Sequence, residues 1–315
     1  MGTLANAGVN KLTFLTPTPL VPLGLWLEQL VAESTGKEQK GILPIADEES
    51  GPPSVYGDDR FFVIVRDCGT DCSFLDVRSF ALRDACHPIA TINLYDPYDI
   101  ATEMMRFEIA TAVAGSILGI NPFDQPNVEE AKVITRALLK EYEEKGALPS
   151  APASLEEDNL KAFGDEAKDS IAATLKAFFH DSGPGCFTTI QAYLPEASEI
   201  TEKLHHLQGT LRDYLKVATT CGYGPRFLHS TGQFHKGGPN TGYFLQLTGD
   251  HPIDESIPGQ KATWGAFIDA QAQGDLETLK RNHRKTLRIH LSADRDAALD
   301  QLIESVSVAL GHRLH

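Results

Sequence analysis

A short run of five apolar residues, 61–65, places the tightest constraint on the fold of this chain. It reads Phe-Phe-Val-Ile-Val without a polar residue, which is the pattern of a strand buried on both faces of a parallel sheet. A second strand is predicted over residues 88–95, followed by a helix over 99–118 that ends at Gly119. Buried strands followed by a helix indicate an α/β fold, a three-layer sandwich around a parallel sheet.

A linker predicts two domains. Residues 145–160 contain Gly146, Pro149 and Pro152, a composition typical of the connection between domains. We therefore expect one domain over residues 1–148 and a second α/β unit over residues 149–315.

The hydrophobic pattern also predicts the helices and strands on both sides of this linker. A helix is expected over 128–144 in the first domain. In the second unit, strands are expected at 186–194, 243–248 and 287–291, and helices at 170–180, 198–216, 263–280 and 294–310. The third of these helices is expected to break near Gly274. The Thr- and Pro-rich residues 1–22 predict an extended start, and the acidic run 156–158 predicts the beginning of a helix.

Charge and cysteine content limit the partners and the compartment. The chain has 315 residues and a net charge of −15, which disfavours nucleic acid or an anionic membrane as a partner but is compatible with a small phosphorylated ligand. Five cysteines, an odd number, indicate reduced thiols in a cytoplasmic protein. Cys68, Cys72, Cys86 and His87 have part of the pattern of a zinc site. No second pair of ligands follows, so we expect no metal.

The segment 29–37, Gln-Leu-Val-Ala-Glu-Ser-Thr-Gly-Lys, gathers polar groups that can act on a small ligand. On a helix, Gln29 and Glu33 lie four residues apart and share one face. Gly36 can end that helix. The polar residues then able to converge on a ligand are Ser34, Thr35 and Lys37. The segment lacks the first glycine and the final hydroxyl residue of a nucleotide phosphate loop, and an ordinary solvated helix end remains the alternative.

Two further segments carry candidate groups. Gln125 lies in the turn 121–126, and Lys132 follows on the predicted helix. Residues 221–240 contain five glycines together with four candidate side chains, Arg226, His229, His235 and Lys236. Glycines allow backbone N–H groups to approach an anion, and Arg and Lys neutralise it. A long connecting loop with hydrogen-bonded histidines is the alternative.

The first two segments resemble the signatures of glucose-6-phosphate isomerases. Gln-x-x-x-Glu-Ser-x-Gly-Lys, at 29–37, resembles the first, and Asn-Pro-Phe-Asp-Gln-Pro-x-Val-Glu-x-x-Lys, at 121–132, resembles the second. The resemblance implies a sugar isomerase-like fold, with Glu33 as the base that moves a proton between C1 and C2 of the open-chain sugar. It also implies that Gln125 helps to hold the substrate and that Lys132 takes part in ring opening. This chemistry requires no cofactor.

The third segment resembles the C-terminal region of bifunctional transaldolase/phosphoglucose isomerases. It reads His-Ser-Thr-Gly-Gln-x-His-Lys-Gly-Gly-Pro-Asn at 229–240. The resemblance implies that an N-terminal isomerase half and a transaldolase domain belong to the same polypeptide, and it allows a homo-oligomer. It places the expected activity in glycolysis, gluconeogenesis and the pentose phosphate pathway.

The chain departs from the isomerase pattern in two respects. The family's ring-opening histidine lies in a Gly-Thr-Asn-Gly-Gln-His segment between the two signatures, where this chain has only His87. His229 or His235 can supply the missing group, and the two remain equivalent at this stage. The family's phosphate-binding loop is also absent, which leaves three candidates for the phosphate, Lys37, Arg226 and Lys236.

The resemblance therefore implies an aldose–ketose isomerase that interconverts glucose 6-phosphate and fructose 6-phosphate through an enediol(ate) intermediate. Its expected catalytic residues are Glu33, Lys132, His229 and His235. The expected substrate-binding residues are Gln29, Ser34, Thr35, Gly36, Lys37, Gln125, Arg226 and Lys236. The alternatives are a non-catalytic sugar-phosphate-binding module, a fragment that is inactive without its N-terminal half, and a structural extension docked onto another subunit.

Overall fold

The computed structural model describes residues 1–164 and 167–311. The first sheet is wholly parallel, with strand order β2-β1-β3-β4. Its strands are β1 (Lys11–Leu15), β2 (Leu43–Ile45), β3 (Arg60–Asp67) and β4 (Ile89–Leu94). The apolar run 61–65 lies within β3, where each of its five residues is at most 5% exposed. The prediction of a buried parallel strand is confirmed.

Helices cover both faces of this sheet. They are α1 (Gly2–Asn6), α2 (Val21–Thr35), α3 (Ser73–Asp84) and α4 (Asp99–Leu118). The next helix, α5 (Glu129–Lys145), packs instead on the helix Trp264–Arg281 of the second half. Phe61 and Val63 pack with α2 and α4 on one face, while Phe62 and Ile64 pack with α3 on the other. Alternate side chains of one strand thus supply two separate cores, which gives the three layers expected from the sequence. Gly119 ends α4 with a left-handed φ of 69°.

The second sheet has six strands in the order β5-β6-β10-β9-β7-β8. Its strands are β5 (Leu155–Glu157), β6 (Leu160–Phe163), β7 (Phe187–Ala192), β8 (Ala218–Tyr223), β9 (Gly242–Gly249) and β10 (Lys285–Leu291). The last four are mutually parallel along the sheet, and β6 pairs antiparallel with both β5 and β10. Its helices are α6 (Ile171–Phe178), α7 (Ser198–Leu215), α8 (Gly232–Gly237), α9 (Trp264–Arg281) and α10 (Arg295–Gly311).

An apolar cluster joins the two sheets. Helices α6, α7 and α10 pack on one face of the second sheet. On the other face, Phe187 and Phe244 pack with Phe234 of α8 and with Leu43 and Ile45 of β2. The sheet is therefore covered there partly by the first half of the chain. The division into domains at residues 148 and 149 stays a prediction.

Three expectations about local structure are wrong. Within the predicted extended start, residues 11–15 form β1, an inner strand of the first sheet. The acidic run 156–158 belongs to the antiparallel β5–β6 hairpin rather than to a helix. Helix α9 is continuous through Gly274. The glycine serves close packing instead, since α5 crosses α9 there and a Cβ at this position would lie 2.5 Å from Thr135 Oγ1.

Candidate active site

The first candidate site is built on the outer side of α2. Leu23, Leu27 and Val31 turn one side of this helix into the core of the first sheet, so polar residues occupy the other side. There Gln29 Nε2 donates a hydrogen bond to Glu33 Oε2 at 3.3 Å. The prediction that these two side chains share one helix face is confirmed.

Residues of both sequence signatures line one cavity beside this face. The cavity has a volume of about 220 Å³, and we call it the α2 cavity. Its lining residues are Trp26, Gln29, Leu30, Glu33, Ser34, Pro122 and Gln125. A half-buried carboxylate thus shares a cavity with two side-chain amides and a hydroxyl group. A carboxylate can accept a proton from carbon, and amide N–H groups can stabilise charge that develops on neighbouring oxygen atoms.

Thr35 and Lys37 do not line the α2 cavity. Thr35 Oγ1 donates a hydrogen bond to the Val31 carbonyl at 2.7 Å and accepts one from the Ile42 N–H at 3.0 Å. Lys37 is 1% exposed, its Nζ lies 3.0 Å from Asp124 Oδ1, and it also donates to the Asp124 carbonyl. Lys37 therefore holds the turn that presents the second signature. The assignment of both residues to substrate binding stays a prediction.

Gly36 allows α8 to approach the end of α2. A Cβ at this position would lie 2.3 Å from Phe234 Cα, so any larger residue would displace the α8 backbone. The close approach brings the loop before α8, with its 3₁₀ turn Arg226–His229, to the side of α2. The glycine-rich segment of the second half is thereby part of the candidate site.

A second cavity lies between α2 and this loop, and we call it the loop cavity. It has a volume of about 280 Å³, and its polar lining residues are Glu28, Gln29, Cys221, Arg226, His229 and Ser230. The Ser230 hydroxyl lies 3.3 Å from Glu28 Oε1. Protein atoms around the Glu28 carboxyl exclude water and raise its pKa to about 7, although Ser230 and Arg226 oppose the shift.

Sequence reasoning missed Glu28 as a candidate site residue, although the spacing of small and apolar residues along α2 indicates that its side chain faces the protein. Gly24 and Ala32 lie four residues before and after it, and both are buried. Glu28 therefore occupies a row of α2 that is otherwise turned toward the protein. A carboxyl group in such a row can hold a proton near neutral pH.

A third cavity, the α5–α9 cavity, contains Lys132. It has a volume of about 250 Å³, and its lining includes Lys132, Arg136, His229, Lys236, Gln271 and Phe267. Lys132 Nζ also lies 2.7 Å from Glu129 Oε1 on the solvent side of α5. Lys132 and Glu33 line different cavities. His229 lines both the α5–α9 cavity and the loop cavity, and Gln29 lines both the loop cavity and the α2 cavity, so the three cavities adjoin.

The two candidate histidines occupy different environments. His229 is exposed at the border of two cavities. His235 is 2% exposed, and its Nδ1 lies 3.3 Å from Gln191 Nε2. Burial lowers the pKa of His235 well below its usual value, and Lys236 and Arg284 add to this effect. His235 is therefore a neutral core group, and His229 is the histidine that a ligand can reach.

Comparison with known proteins relates part of the chain to sugar-phosphate enzymes. A glucose-6-phosphate isomerase from Rubrobacter xylanophilus is 32% identical over 43% of this chain and 40% of the relative. Another, from Lacticaseibacillus casei, is 29% identical over 37% of this chain and 34% of the relative. Part of this chain is homologous to glucose-6-phosphate isomerases. The chain spans less than half the length of these two relatives.

The solved structures that resemble this chain do so only weakly. A hypothetical protein from Thermus thermophilus has 12% identity and a TM-score of 0.41, over 99% of this chain and 81% of the other. A glucose-6-phosphate isomerase from Chlamydia trachomatis has 11% identity and a TM-score of 0.35, over 98% and 66% of the two chains. No family model matches the chain. Within residues 1–164 and 167–311, no helix combines the length and apolar character needed to cross a bilayer.

Proposed function

We propose that this chain is part of an aldose–ketose isomerase that interconverts glucose 6-phosphate and fructose 6-phosphate. The observation that carries the proposal is the α2 cavity, where Glu33, Gln29 and Gln125 from two separate signatures meet. The partial homology to glucose-6-phosphate isomerases supports the same substrate class.

In this proposal Glu33 is the base of the isomerisation. Its carboxylate removes the proton from the carbon next to the carbonyl of the open-chain sugar and returns it to the neighbouring carbon, through an enediol(ate). The charge that develops on O1 and O2 needs fixed donors in a site with little water. The amide groups of Gln29 and Gln125 line the same cavity and are donors of this kind.

Ring opening is the role we propose for Lys132 and His229. These two residues line the α5–α9 cavity together, and His229 continues the lining toward Gln29 through the loop cavity. Between the two histidines left open by the sequence, we choose His229 because His235 is enclosed in the core. An exposed imidazole can exchange protons with a substrate hydroxyl, whereas an enclosed one cannot reach it.

The longer architecture is also a proposal. The relatives exceed the matched part more than twofold in length, and the motif at 229–240 motivates a polypeptide with an N-terminal isomerase half and a transaldolase domain. Exposed apolar side chains on α3, Phe74, Val77 and Phe80, and on α4, Met105 and Ile109, are consistent with a surface covered by another segment. This observation also fits the alternative of a structural extension docked onto another subunit.

The test is turnover of fructose 6-phosphate to glucose 6-phosphate by the purified chain and by a Glu33→Gln variant. We expect the variant to lose at least a hundredfold in kcat, because the amide cannot accept the proton. Glu38→Gln is the control, since Glu38 is exposed and lies outside the α2 cavity. Equal activity in both variants would show that Glu33 is not the base. If the chain alone shows no turnover, the same variants are compared in a polypeptide that includes the N-terminal half, and that comparison decides whether Glu33 is the base.

A further inference from the structure

The α5–α9 cavity concentrates positive charge in an acidic protein. The chain carries a net charge of −15, yet the cavity is lined by Lys132, Arg136, Lys236 and His229. Among the described residues that line it, none is acidic. A local reversal of charge inside a concave surface attracts anions of small size.

Lys236 provides a fixed charge on the inner wall of this cavity. It is 3% exposed, and its Nζ lies 2.7 Å from Asp275 Oδ1. The other oxygen of this fully buried carboxylate accepts a hydrogen bond from Gln191 at 3.1 Å. Within the described residues, the remaining contact of the ammonium is the Gly232 carbonyl at 3.5 Å, the outer limit of a hydrogen bond. An ammonium group has three donors, so Lys236 retains donor capacity.

Lys132 and Arg136 form the outer, solvent-facing part of the cavity. They lie four residues apart on α5 and so project from one helix face. The hydrogen bond from Lys132 lowers the pKa of Glu129, and the charge of the exposed Arg136 adds to this effect. Arg136 forms no ion pair or side-chain hydrogen bond with another described residue, so its guanidinium is available to a ligand. Lys132 pairs with Glu129, whose side chain is 67% exposed. That pair is solvated and contributes little, so an anion in the cavity can replace it.

We propose that the α5–α9 cavity binds a phosphate group, held by Arg136 and Lys132 from α5 and by Lys236 from the opposite wall. Arginine presents paired N–H donors that match phosphate oxygens, and the two ammonium groups add charge. Phe267 and Leu228 form an apolar wall suited to the carbon skeleton attached to such a phosphate. The phosphate can belong to the sugar that is isomerised or to a separate phosphorylated metabolite, and the site itself does not depend on the isomerase activity. In the second case Lys132 is engaged by that metabolite, and the ring-opening role proposed for it above is wrong.

The decisive measurement is calorimetric titration of the chain with inorganic phosphate, at an ionic strength held constant with potassium chloride. We expect saturable binding by the unmodified protein and about tenfold weaker binding by Arg136→Gln, the effect of losing one charge-assisted hydrogen bond. The matched control is Lys140→Gln, which removes one positive charge from an exposed position of the same helix outside the cavity. Absence of saturable binding, or equal weakening by both variants, would overturn the proposal.

A second titration identifies the source of the phosphate. Fructose 6-phosphate is titrated into the Glu33→Gln variant with and without inorganic phosphate. Competition shows that the sugar's own phosphate occupies the cavity, and Arg136→Gln then raises KM more than it lowers kcat. Simultaneous binding shows that a separate metabolite occupies it, and KM is then unchanged. Both results are compatible with a phosphate site in the α5–α9 cavity. Failure of the isomerase proposal can be told apart from failure of this one, because turnover would then be absent while Arg136-dependent phosphate binding persisted.

Discussion

The side-chain amide of Gln233 donates a hydrogen bond to the backbone carbonyl of Gly36 at 2.8 Å. The same amide donates to Asn127 Oδ1 at 2.9 Å, and its oxygen accepts the Asn127 N–H at 3.1 Å. Gly36 belongs to the first signature, Asn127 to the second, and Gln233 to the segment 229–240. One buried amide therefore joins all three sequence motifs.

Replacement of Gln233 by leucine tests this junction. We expect the free energy of unfolding to fall by about 2–3 kcal/mol, because the buried carbonyl of Gly36 and the partly buried N–H of Asn127 would lose their hydrogen-bond partner. The measurement is urea denaturation. Gln260→Leu is the control, because Gln260 is exposed, and it should change stability by less than about 0.5 kcal/mol. Equal effects of the two variants would show that the Gln233 contacts carry no net stability.

Gly36→Ala tests the close packing of α8 against α2. The new Cβ would meet the Phe234 backbone at 2.3 Å, and a backbone cannot rotate away as a flexible side chain can. We expect a loss of about 1–3 kcal/mol in stability, measured as a lower midpoint of thermal unfolding. Gly183→Ala is the matched control, since no atom lies within 4 Å of a Cβ there. An unchanged midpoint for Gly36→Ala would contradict the packing.

The sequence predicts the helices and strands better than it predicts the tertiary contacts between them. Helix α4 has the bounds expected from its pattern, because its apolar period and Gly119 are local signals. Strand β1 was missed because threonine and proline residues surround a short buried run. The contact between Gly36 and Gln233 joins positions 197 residues apart, and no local pattern encodes it. Partial burial of Glu28 similarly depends on a loop from the second half of the chain.

Glu28→Gln should change how stability depends on pH. The pKa of Glu28 is about 7 in the folded protein, against an ordinary value of 4.5, so the folded state binds more protons between these values. The free energy of unfolding therefore falls as pH rises from about 4.5 to about 7, by roughly 3 kcal/mol at most. Glutamine carries no charge, so the variant should lack this part of the decline.

Urea denaturation at pH 5 and pH 7.5 measures the effect. The variant should gain stability relative to the unmodified protein as pH rises, while Glu202→Gln, at an exposed position of α7, should follow the unmodified protein. Parallel pH curves for the protein and Glu28→Gln would exclude a raised pKa at this carboxyl.

Lys37→Met distinguishes a residue that binds substrate from one that holds the Asp124 turn. The buried ammonium contacts the side chain and the carbonyl of Asp124, so we expect a loss of about 1–2 kcal/mol in stability and a higher KM, because Gln125 is no longer presented to the α2 cavity. A double-mutant cycle with Asp124→Ala supplies the test. If Lys37 acts through the turn, Asp124→Ala alone raises KM as well, and the effect of Lys37→Met on KM is smaller when Asp124 is already alanine, because only the contact with the Asp124 carbonyl is left to lose. If Lys37 contacts the sugar phosphate directly, Asp124→Ala leaves KM unchanged, the effect of Lys37→Met on KM remains in full, and the turn-holding role is wrong.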